Sequence, residues 1–468
     1  MAATPRFLCL SLGAALVLGG CVTPPEARLD DALPAAWTQG RDLAAPAPDL
    51  RGWWKAWGDA RLDAVVEQAL AANQDLAQVE LRLKARQRLA GVADAAFKPV
   101  LSGNVRTLQD IAAIDSYFHA SIDMAWDLGL FGASQSSLRA RAAELLDAKA
   151  RLQAARVALV ADVVHHYLDL RLAQRQRALL AEQARLDQRG LALARVRQQQ
   201  RLGTAEAVLL LQQQAAHTAA QQADMELAQA RAAHALAALL GQARPEAGWL
   251  AADEKAGLPS TQALGLTALP ADMLRTRPDI RIAQAAVERA AAEAGLAQAA
   301  LYPRVVLAGS LLYSYNLTQN FRTTSDNIPT LGPQIDIPLF DWGQRRARAD
   351  ASELALQAAG QAYRQQVLDA VAEVETALAG LTAQGRRLIA LQQVQDSLQQ
   401  SNQRQQKRRQ LGLDSEFGAL AGQRAAIVAR SDQATAQAAQ ALAYVALYKA
   451  LGAAPLPEDG YEGGGPGA

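Results

Sequence analysis

The 468-residue chain carries 47 Lys and Arg against 46 Asp and Glu, and this near-balance leaves no electrostatic footprint for nucleic acid. Half of the residues are apolar but only 5% are aromatic. Much of the apolar share is Ala, which disfavours a thick globular core and favours long, closely packed helices.

Residues 1–20 read as an export signal. Arg6 supplies a short positive region, and Phe7 to Leu18 form an apolar run too short to span a bilayer comfortably. The run ends at Leu18-Gly19-Gly20-Cys21, which resembles a bacterial lipobox with cleavage before Cys21 and lipid on its thiol. The only other cysteine, Cys9, falls inside the discarded signal, so the exported chain has no disulfide partner for Cys21. Multiple acyl chains anchor stably, whereas one is marginal. The competing reading is an ordinary secretory signal with an incidental Cys. Val22 stands where an Asp commonly marks inner-membrane retention, which points to the outer membrane.

Residues 21–60 hold five prolines between Pro24 and Pro48 and read as an extended tether ending in Trp53, Trp54 and Trp57. Residues 61–99 hold helix from about Leu62 to Ala90, with a break or new start at Asn73-Gln74-Asp75-Leu76. Residues 100–131 contain two strands. The first, 100–109, is weakly patterned. In the second, Phe118, Ala120, Ile122, Met124 and Trp126 alternate with Tyr117, His119, Ser121 and Asp123. Both have the length of a membrane-spanning β-strand, and one apolar with one polar face suits a water-filled barrel. The same alternation suits a hairpin half-buried in a soluble domain, and periodicity alone does not separate the two.

A long helical hairpin follows over 132–243. The first helix is expected from a Ser134 cap to about Arg201, roughly 100 Å at 1.5 Å per residue. It breaks at Leu202-Gly203-Thr204, with Gly203 as a left-handed cap, and returns from about Ala205 to Leu240. Apolar residues recur at intervals of three and four, as in Val157, Val160, Val164, Tyr167, Leu168 and Leu170, with small residues at the seams. Residues 244–270 read as a linker. The pattern then restarts: helix in 271–303 opened by Arg277-Pro278-Asp279-Ile280, strands in 304–340, and a second hairpin over 341–452 broken at Leu411-Gly412-Leu413. In the last strand Leu331, Pro333, Ile335, Ile337 and Leu339 alternate with Gly332, Gln334 and Asp336, and its prolines are awkward in a central ladder and expected near a strand end. Residues 453–468 form a tail.

The restart is an internal duplication. Asp75 and Asp279 are 204 residues apart, as are Pro99 and Pro303; Phe131–Phe340 and Gly203–Gly412 are separated by 209, and Leu240-Gly241 from Leu451-Gly452 by 211. In each copy a strand feeds almost directly into a very long helix, at Trp126–Gly132 and at Ile335–Gly343. Phe131, Gly132, Phe340 and Gly343 mark the strand-to-helix junctions.

The lipobox, Trp126–Gly132, Arg277–Ile280, Ile337–Gly343 and the two Leu-Gly breaks with their long helices together resemble the TolC-like outer-membrane factor family, in its OprM/NodT-type lipoprotein branch. The resemblance covers about residues 53–452. It implies a mixed α/β membrane protein: four β-strands per chain in a shared 12-stranded trimeric barrel, continued by a long α-helical coiled-coil barrel. The Trp53–Ala90 segment and the 244–270 linker would belong to a belt around the periplasmic tunnel. It implies a homotrimer in contact with outer-membrane lipids, a periplasmic adaptor (membrane fusion protein) and an inner-membrane transporter of RND type, with no nucleic acid and no cofactor. The tip turns, Leu202, Gly203, Thr204, Leu411, Gly412 and Leu413, would meet the adaptor. One departure matters. Family members often carry Asp six and nine positions after the second break, forming a cation-sensitive aperture; here those positions are Gly418 and Ala421, and Leu209 stands six after Gly203. The nearby acids, Glu206, Asp414 and Glu416, are possible aperture groups, with a solvated surface role as the plainer reading.

No P-loop, nucleophile elbow, metal-spaced Cys/His set or dinucleotide glycine turn occurs, so no catalytic residue and no metal is expected. His165 and His166 are adjacent, point about 100° apart on a helix and do not form an i, i+4 chelate. His217 and His234 are isolated. The three tryptophans suit packing better than a ligand box, and Lys407-Arg408-Arg409 reads as a solvated helix end that could touch a partner. The function implied is a passive exit duct of a tripartite efflux system. The alternatives are a type I secretion duct of the same architecture and a periplasmic coiled-coil scaffold lipoprotein without a barrel.

Overall fold

Ala, Gln, Arg and Leu dominate both proline-free stretches, and all four are strong helix formers. In the computed structural model these stretches form two helical hairpins. The structure describes residues 37–38, 50–109, 116–251, 257–259, 274, 276–317 and 326–454. Cys21 with its lipobox, most of the tether, the greater part of the 244–270 linker and the tail from 455 lie outside the described residues.

A 3-10 turn at Trp53–Trp57 precedes α1 (Ala60–Ala72) and α2 (Gln74–Ala90); a second, Ala93–Phe97, precedes β1 (Val100–Gln109) and β2 (Ser116–Asp127). Next come α3 (Ala133–Gln199), α4 (Ala205–Leu239), one helical turn at Ala247–Leu250, and α5 (Pro278–Ala299). The chain continues through β3 (Arg304–Asn316), β4 (Asp326–Asp336), α6 (Gln344–Gln410) and α7 (Glu416–Ala450). The duplication is exact in helix length: α3 and α6 both have 67 residues, and α4 and α7 both have 35.

These lengths correct the register of the repeat. All four long-helix boundaries are offset by 211 residues. Phe131 therefore corresponds to Trp342 and not to Phe340, and both adopt positive φ, +55° and +58°. Two extra residues lie in the second junction, 337–343 against 128–132. The same offset pairs Arg201 with Gly412, at φ +55° and +74°, so the left-handed residue of the first break is Arg201 and not Gly203. Ser134 is not a cap either. It is the second residue of α3, and its amide donates to the Gly129 carbonyl while that of Ser136 donates to Gly132. At the other hairpin ends Thr204 and Ser415 are side-chain caps, accepting from the Ala207 and Gly418 amides at 3.2 and 3.3 Å. Such caps contribute about 1 kcal/mol each.

The chain divides into two compact units. The first contains Leu81–Ala150 and Asp279–Gln366. Its sheet is antiparallel in the order β1-β2-β3-β4. Two flanking hydrogen bonds, Leu128 N to Val305 O and Leu317 N to Ser116 O, fix which way each backbone group points. Since hydrogen-bonded pairs alternate along an antiparallel ladder, the odd-numbered residues of β3 bond to β2 and the even-numbered ones to β4. The even residues of β4 answer them, so Pro329 and Pro333 turn their nitrogens away from β3, toward the free edge. That is why the two prolines lie inside β4 and not at its end: the β3–β4 ladder loses nothing. The helical core of this unit is alanine-rich, with Ala285, Val287, Ala291, Ala292 and Ala294 of α5 buried.

The second unit contains Ala32–Glu80, Arg151–Pro278 and Val367–Ala468, as far as these are described. Leu62, Leu168, Leu236, Leu447 and Leu451 are fully buried here. Trp53 stacks on Tyr448, with centroids 4.6 Å apart and rings 9° from parallel, and Trp54 and Trp57 meet Trp53 edge-on. Stacking of this kind contributes about 0.5–1.5 kcal/mol beyond burial. The tryptophans are packing residues, with no open box between them. Tyr167 donates to Asp59 at 2.6 Å, and Asp59 also accepts the Arg61 and Leu62 amides at the start of α1. Burial, then the Asp59 carboxylate, pushes the Tyr167 hydroxyl well above the ordinary tyrosine range.

The repeat also governs how each return helix ends. Asn73 separates α1 from α2: its Oδ1 accepts the Leu76 amide at 2.8 Å and its Nδ2 donates to the Leu239 carbonyl at 2.9 Å. Its counterpart 204 residues on, Arg277, donates through Nη1 to the carbonyl of Ala450, the counterpart of Leu239. Arg277 also pairs with Glu373 at 2.6 Å. Different side chains thus satisfy the same helix-terminal carbonyl in each copy. Gly241 and Gly452 follow at φ +68° and +69°, as the left-handed residues that let the chain leave the helix.

Candidate functional site

The first group of candidate residues lies on the sheet. Across the register, Leu101, Val105, Ile122, Leu311, Leu331 and Ile335 fall on one face. All are exposed, Val105 and Leu331 both at 71%. A four-stranded sheet with an uncovered aliphatic face of this kind is unsuited to water and suited to lipid. The opposite face is polar. Asp123 is its hub, accepting from Asn104 at 2.6 Å, Ser121 at 2.9 Å and Ser310 at 2.7 Å, so three strands are tied at one carboxylate. The two readings left open by periodicity are separated here, because no described helix covers the apolar face. Among the described residues, β1 and β4 each pair on one side only.

At the junctions, the chain passes from strand to helix in five and seven residues, with no long loop. Phe131 stacks on Tyr302, with centroids 5.0 Å apart, and Trp126 Nε1 donates to the Phe97 carbonyl at 2.8 Å. Arg304 pairs with Asp127 at 2.8 Å. Gly129 leaves no room for a Cβ, which would sit 2.6 Å from both the Phe97 ring and Ser134. In the second copy Asp341 does the capping, accepting the Gly343 and Arg345 amides at 3.1 Å. Phe340 meets Trp342 edge-on, and both are exposed, Trp342 at 89%. Aromatic rings at that level are typical of membrane–water boundaries.

At the far ends of the hairpins, Leu202, Leu411 and Leu413 are all exposed. Thr204 is committed to capping α4. The acids are distributed unevenly: Glu416 accepts from Arg189 at 2.5 Å, Asp414 accepts the Ser415 amide at 2.8 Å, and Glu206 is exposed in the first turn of α4. Gly418 and Gly422 are close-approach positions. A Cβ on Gly418 would lie 2.7 Å from Asp414 Oδ1, and one on Gly422 would lie 2.3 Å from Asn402 Oδ1. Asn402 Nδ2 donates to the Gly422 carbonyl at 3.1 Å. These neighbours are the ends of flexible side chains, which a Cβ would move aside at little cost.

Two constellations were not visible from sequence. Asp187 of α3 is buried and accepts from Gln214 at 2.7 Å and Thr218 at 2.6 Å on α4, and from Arg424 on α7. Three helices are joined at one carboxylate. The only signal in the sequence was an acid on the apolar stripe of α3. The second is His165, His166 and Asp169 on α3. The two imidazoles meet edge-on, with centroids 5.4 Å apart, and Asp169 lies beside both. His165 Nε2 lies 3.3 Å and His166 Nδ1 3.8 Å from the same Asp169 oxygen.

Comparison with known proteins bears on all of this. The outer membrane efflux protein family matches residues 65–242 and 269–453. The pyoverdine export outer membrane protein OpmQ of Pseudomonas aeruginosa is 30% identical over 467 residues, covering 94% of this chain and 95% of OpmQ. Nodulation protein T of Rhizobium leguminosarum bv. viciae is 29% identical over 369 residues, covering 78% of this chain and 76% of that protein. The solved outer-membrane channel OprN superposes with a TM-score of 0.80 at 29% identity, over 93% of this chain and all of that one.

Proposed function

This chain belongs to the outer membrane efflux protein family, and on that premise we propose how its parts divide the work of an outer-membrane exit duct. The chain is a TolC-like channel of a tripartite efflux system, located in the bacterial outer membrane. Members of the family are channels and not enzymes.

The finer assignment rests on the sheet. A four-stranded sheet with an exposed aliphatic face and two free edges has no stable state in lipid, because unsatisfied edge groups are costly there. Three copies placing β4 beside β1 of the next, antiparallel, close a 12-stranded barrel with Asp123 and its partners toward the water-filled interior. That closure supports a homotrimer. Strands in 100–131 and 304–340 form the barrel, and the hairpins in 132–243 and 341–452 form the periplasmic conduit. The Trp53–Ala90 segment and the 244–270 linker form the surrounding belt. Cys21 carries the lipid that adds a second hold on outer-membrane lipids. The turns at Leu202–Thr204 and Leu411–Leu413, with exposed leucines, meet a periplasmic adaptor that links the duct to an inner-membrane transporter of RND type. Relatives are named for export of pyoverdine, solvents, toluene and cations; small toxic compounds are the substrate class proposed for this chain.

The test is deletion combined with reconstitution. Loss of the gene sensitises cells to exported compounds, and the purified chain forms a heat-dissociable trimer that conducts ions across planar bilayers. A chain that stays monomeric and non-conducting in lipid would overturn the assignment. Loss of a secreted protein with unchanged drug susceptibility would move it to a type I secretion duct.

A further inference from the structure

The geometry of α3 points to a divalent transition-metal site formed by His165, His166 and Asp169, and we propose that the chain binds one Zn2+-class ion there. The argument begins with helix geometry. Successive residues turn by about 100°, so Asp169, four residues after His165, sits at about 40° and falls between the two histidines. Neither histidine chelates with the other as an i, i+4 pair, yet both converge on the carboxylate. The distances follow: 3.3 Å from His165 Nε2 and 3.8 Å from His166 Nδ1 to Asp169 Oδ2, with one ligand atom of each of the three residues inside a 4.8 Å span. Ligands bound to a metal at about 2.0–2.2 Å lie about 3–4 Å from one another. Small rotations of half-exposed rings achieve that spacing, and the rings already stand nearly perpendicular, with centroids 5.4 Å apart.

The chemistry of the set selects the ion. Two imidazoles and one carboxylate on one side, with the remaining positions open, suit Zn2+, Cu2+ and Ni2+, and not the oxygen-seeking Mg2+ or Ca2+. The open side has room. A cleft of about 780 Å³ is lined by His166 and Asp169, though not by His165, together with Gln176, Asp224, Met225 and Arg231. Asp224, on α4, brings a second carboxylate to the same cleft, outside the span of the three ligand atoms, and adds negative charge there. Arg231 is the counteracting feature, a fixed positive charge in the cleft that lowers affinity for any cation and makes a moderate site the expectation. The duct function proposed above assigns no role to these residues, which lie in the second unit.

The test uses the full mature chain in detergent, purified without a histidine tag. Zn2+ is titrated in competition with a chromophoric chelator, and Co2+ substitution reports ligand geometry by its visible spectrum. The expected result is one Zn2+ per chain, weakened about tenfold or more by His166→Ala, by His165→Ala and by Asp169→Asn, and unaffected by excess Mg2+. His217→Ala and His234→Ala leave it unchanged. His165→Gln stands in for the alanine variant if that one fails to assemble. Absence of stoichiometric Zn2+, or a stoichiometry and affinity untouched by the His165 and His166 substitutions, overturns the proposal.

Discussion

Replacing Arg424 with methionine would test whether the Asp187 junction holds α3, α4 and α7 together. Methionine keeps most of the aliphatic stem and removes the charge. Asp187 is buried, and Arg424 is only 25% exposed, so solvent screens the pair weakly. Deleting one partner of a buried pair commonly costs about 3–5 kcal/mol, because the other charge is stranded. Here the Gln214 and Thr218 donors remain at 2.7 and 2.6 Å, so the lost term is one charge-assisted hydrogen bond and part of the desolvation. That places the effect at about 2–3 kcal/mol. Global unfolding of an oligomeric membrane protein is rarely two-state, so local opening is the better observable. Amide hydrogen exchange in α4 around Gln214–Thr218 and in α7 around Arg424 should accelerate about 30- to 150-fold in Arg424→Met. Asp187→Asn supplies the control. In that background the Arg424 substitution should do less, with a coupling of about 1–2 kcal/mol. Unchanged protection in Arg424→Met, or an effect undiminished in Asp187→Asn, would refute the reasoning.

Three further outcomes follow from the geometry. Gly241→Ala should abolish stable assembly, since at φ +68° its Cβ would lie 2.6 Å from the Ala72 carbonyl; Gly343→Ala, at φ +78° in open space, should cost only about 1–2 kcal/mol, and equal melting shifts would contradict the close approach. Burial and then neighbouring Tyr444 raise the Tyr448 hydroxyl to about 12. Between pH 10 and about 12 the unfolded chain therefore loses this proton while the folded chain keeps it, so stability is full below about 10 and falls as pH rises. The loss is about 2–3 kcal/mol, and Tyr448→Phe should remove that component of alkaline unfolding, with phenolate absorbance as the check. Replacing Pro329 and Pro333 with threonine should raise the temperature at which the proposed trimer dissociates on a gel, by restoring two edge N–H groups worth about 0.5–1.5 kcal/mol each; an unchanged temperature would mean that the β4 edge faces no partner strand.

How much was legible without coordinates differs from element to element. Among the described residues, local pattern found the strands and long helices to within several residues, because alternation and helix propensity are properties of neighbouring residues. It failed where a choice depended on a partner distant in sequence. Ser134 looked like a cap, but Gly129 and Gly132 carbonyls take the first amides of α3. Gly203 looked like the left-handed residue, but the equal lengths of the repeated helices assign that position to Arg201. Phe131 was matched to Phe340 by residue type, whereas shared backbone conformation pairs it with Trp342.

The sequence by itself determined that this protein is a duplicated strand-and-helix chain and that it resembles an outer-membrane factor. These conclusions rest on periodicity and on motifs contiguous in the chain. Only the tertiary structure decided that no described element covers the aliphatic face of the sheet and that its prolines point to an edge unpaired among the described residues. It alone showed that Asn73 and Arg277 serve equivalent carbonyls, and that Asp187 and Arg424 meet across 237 residues. Burial, register and charge pairing are set by which surfaces pack together, and no window of local sequence contains that information.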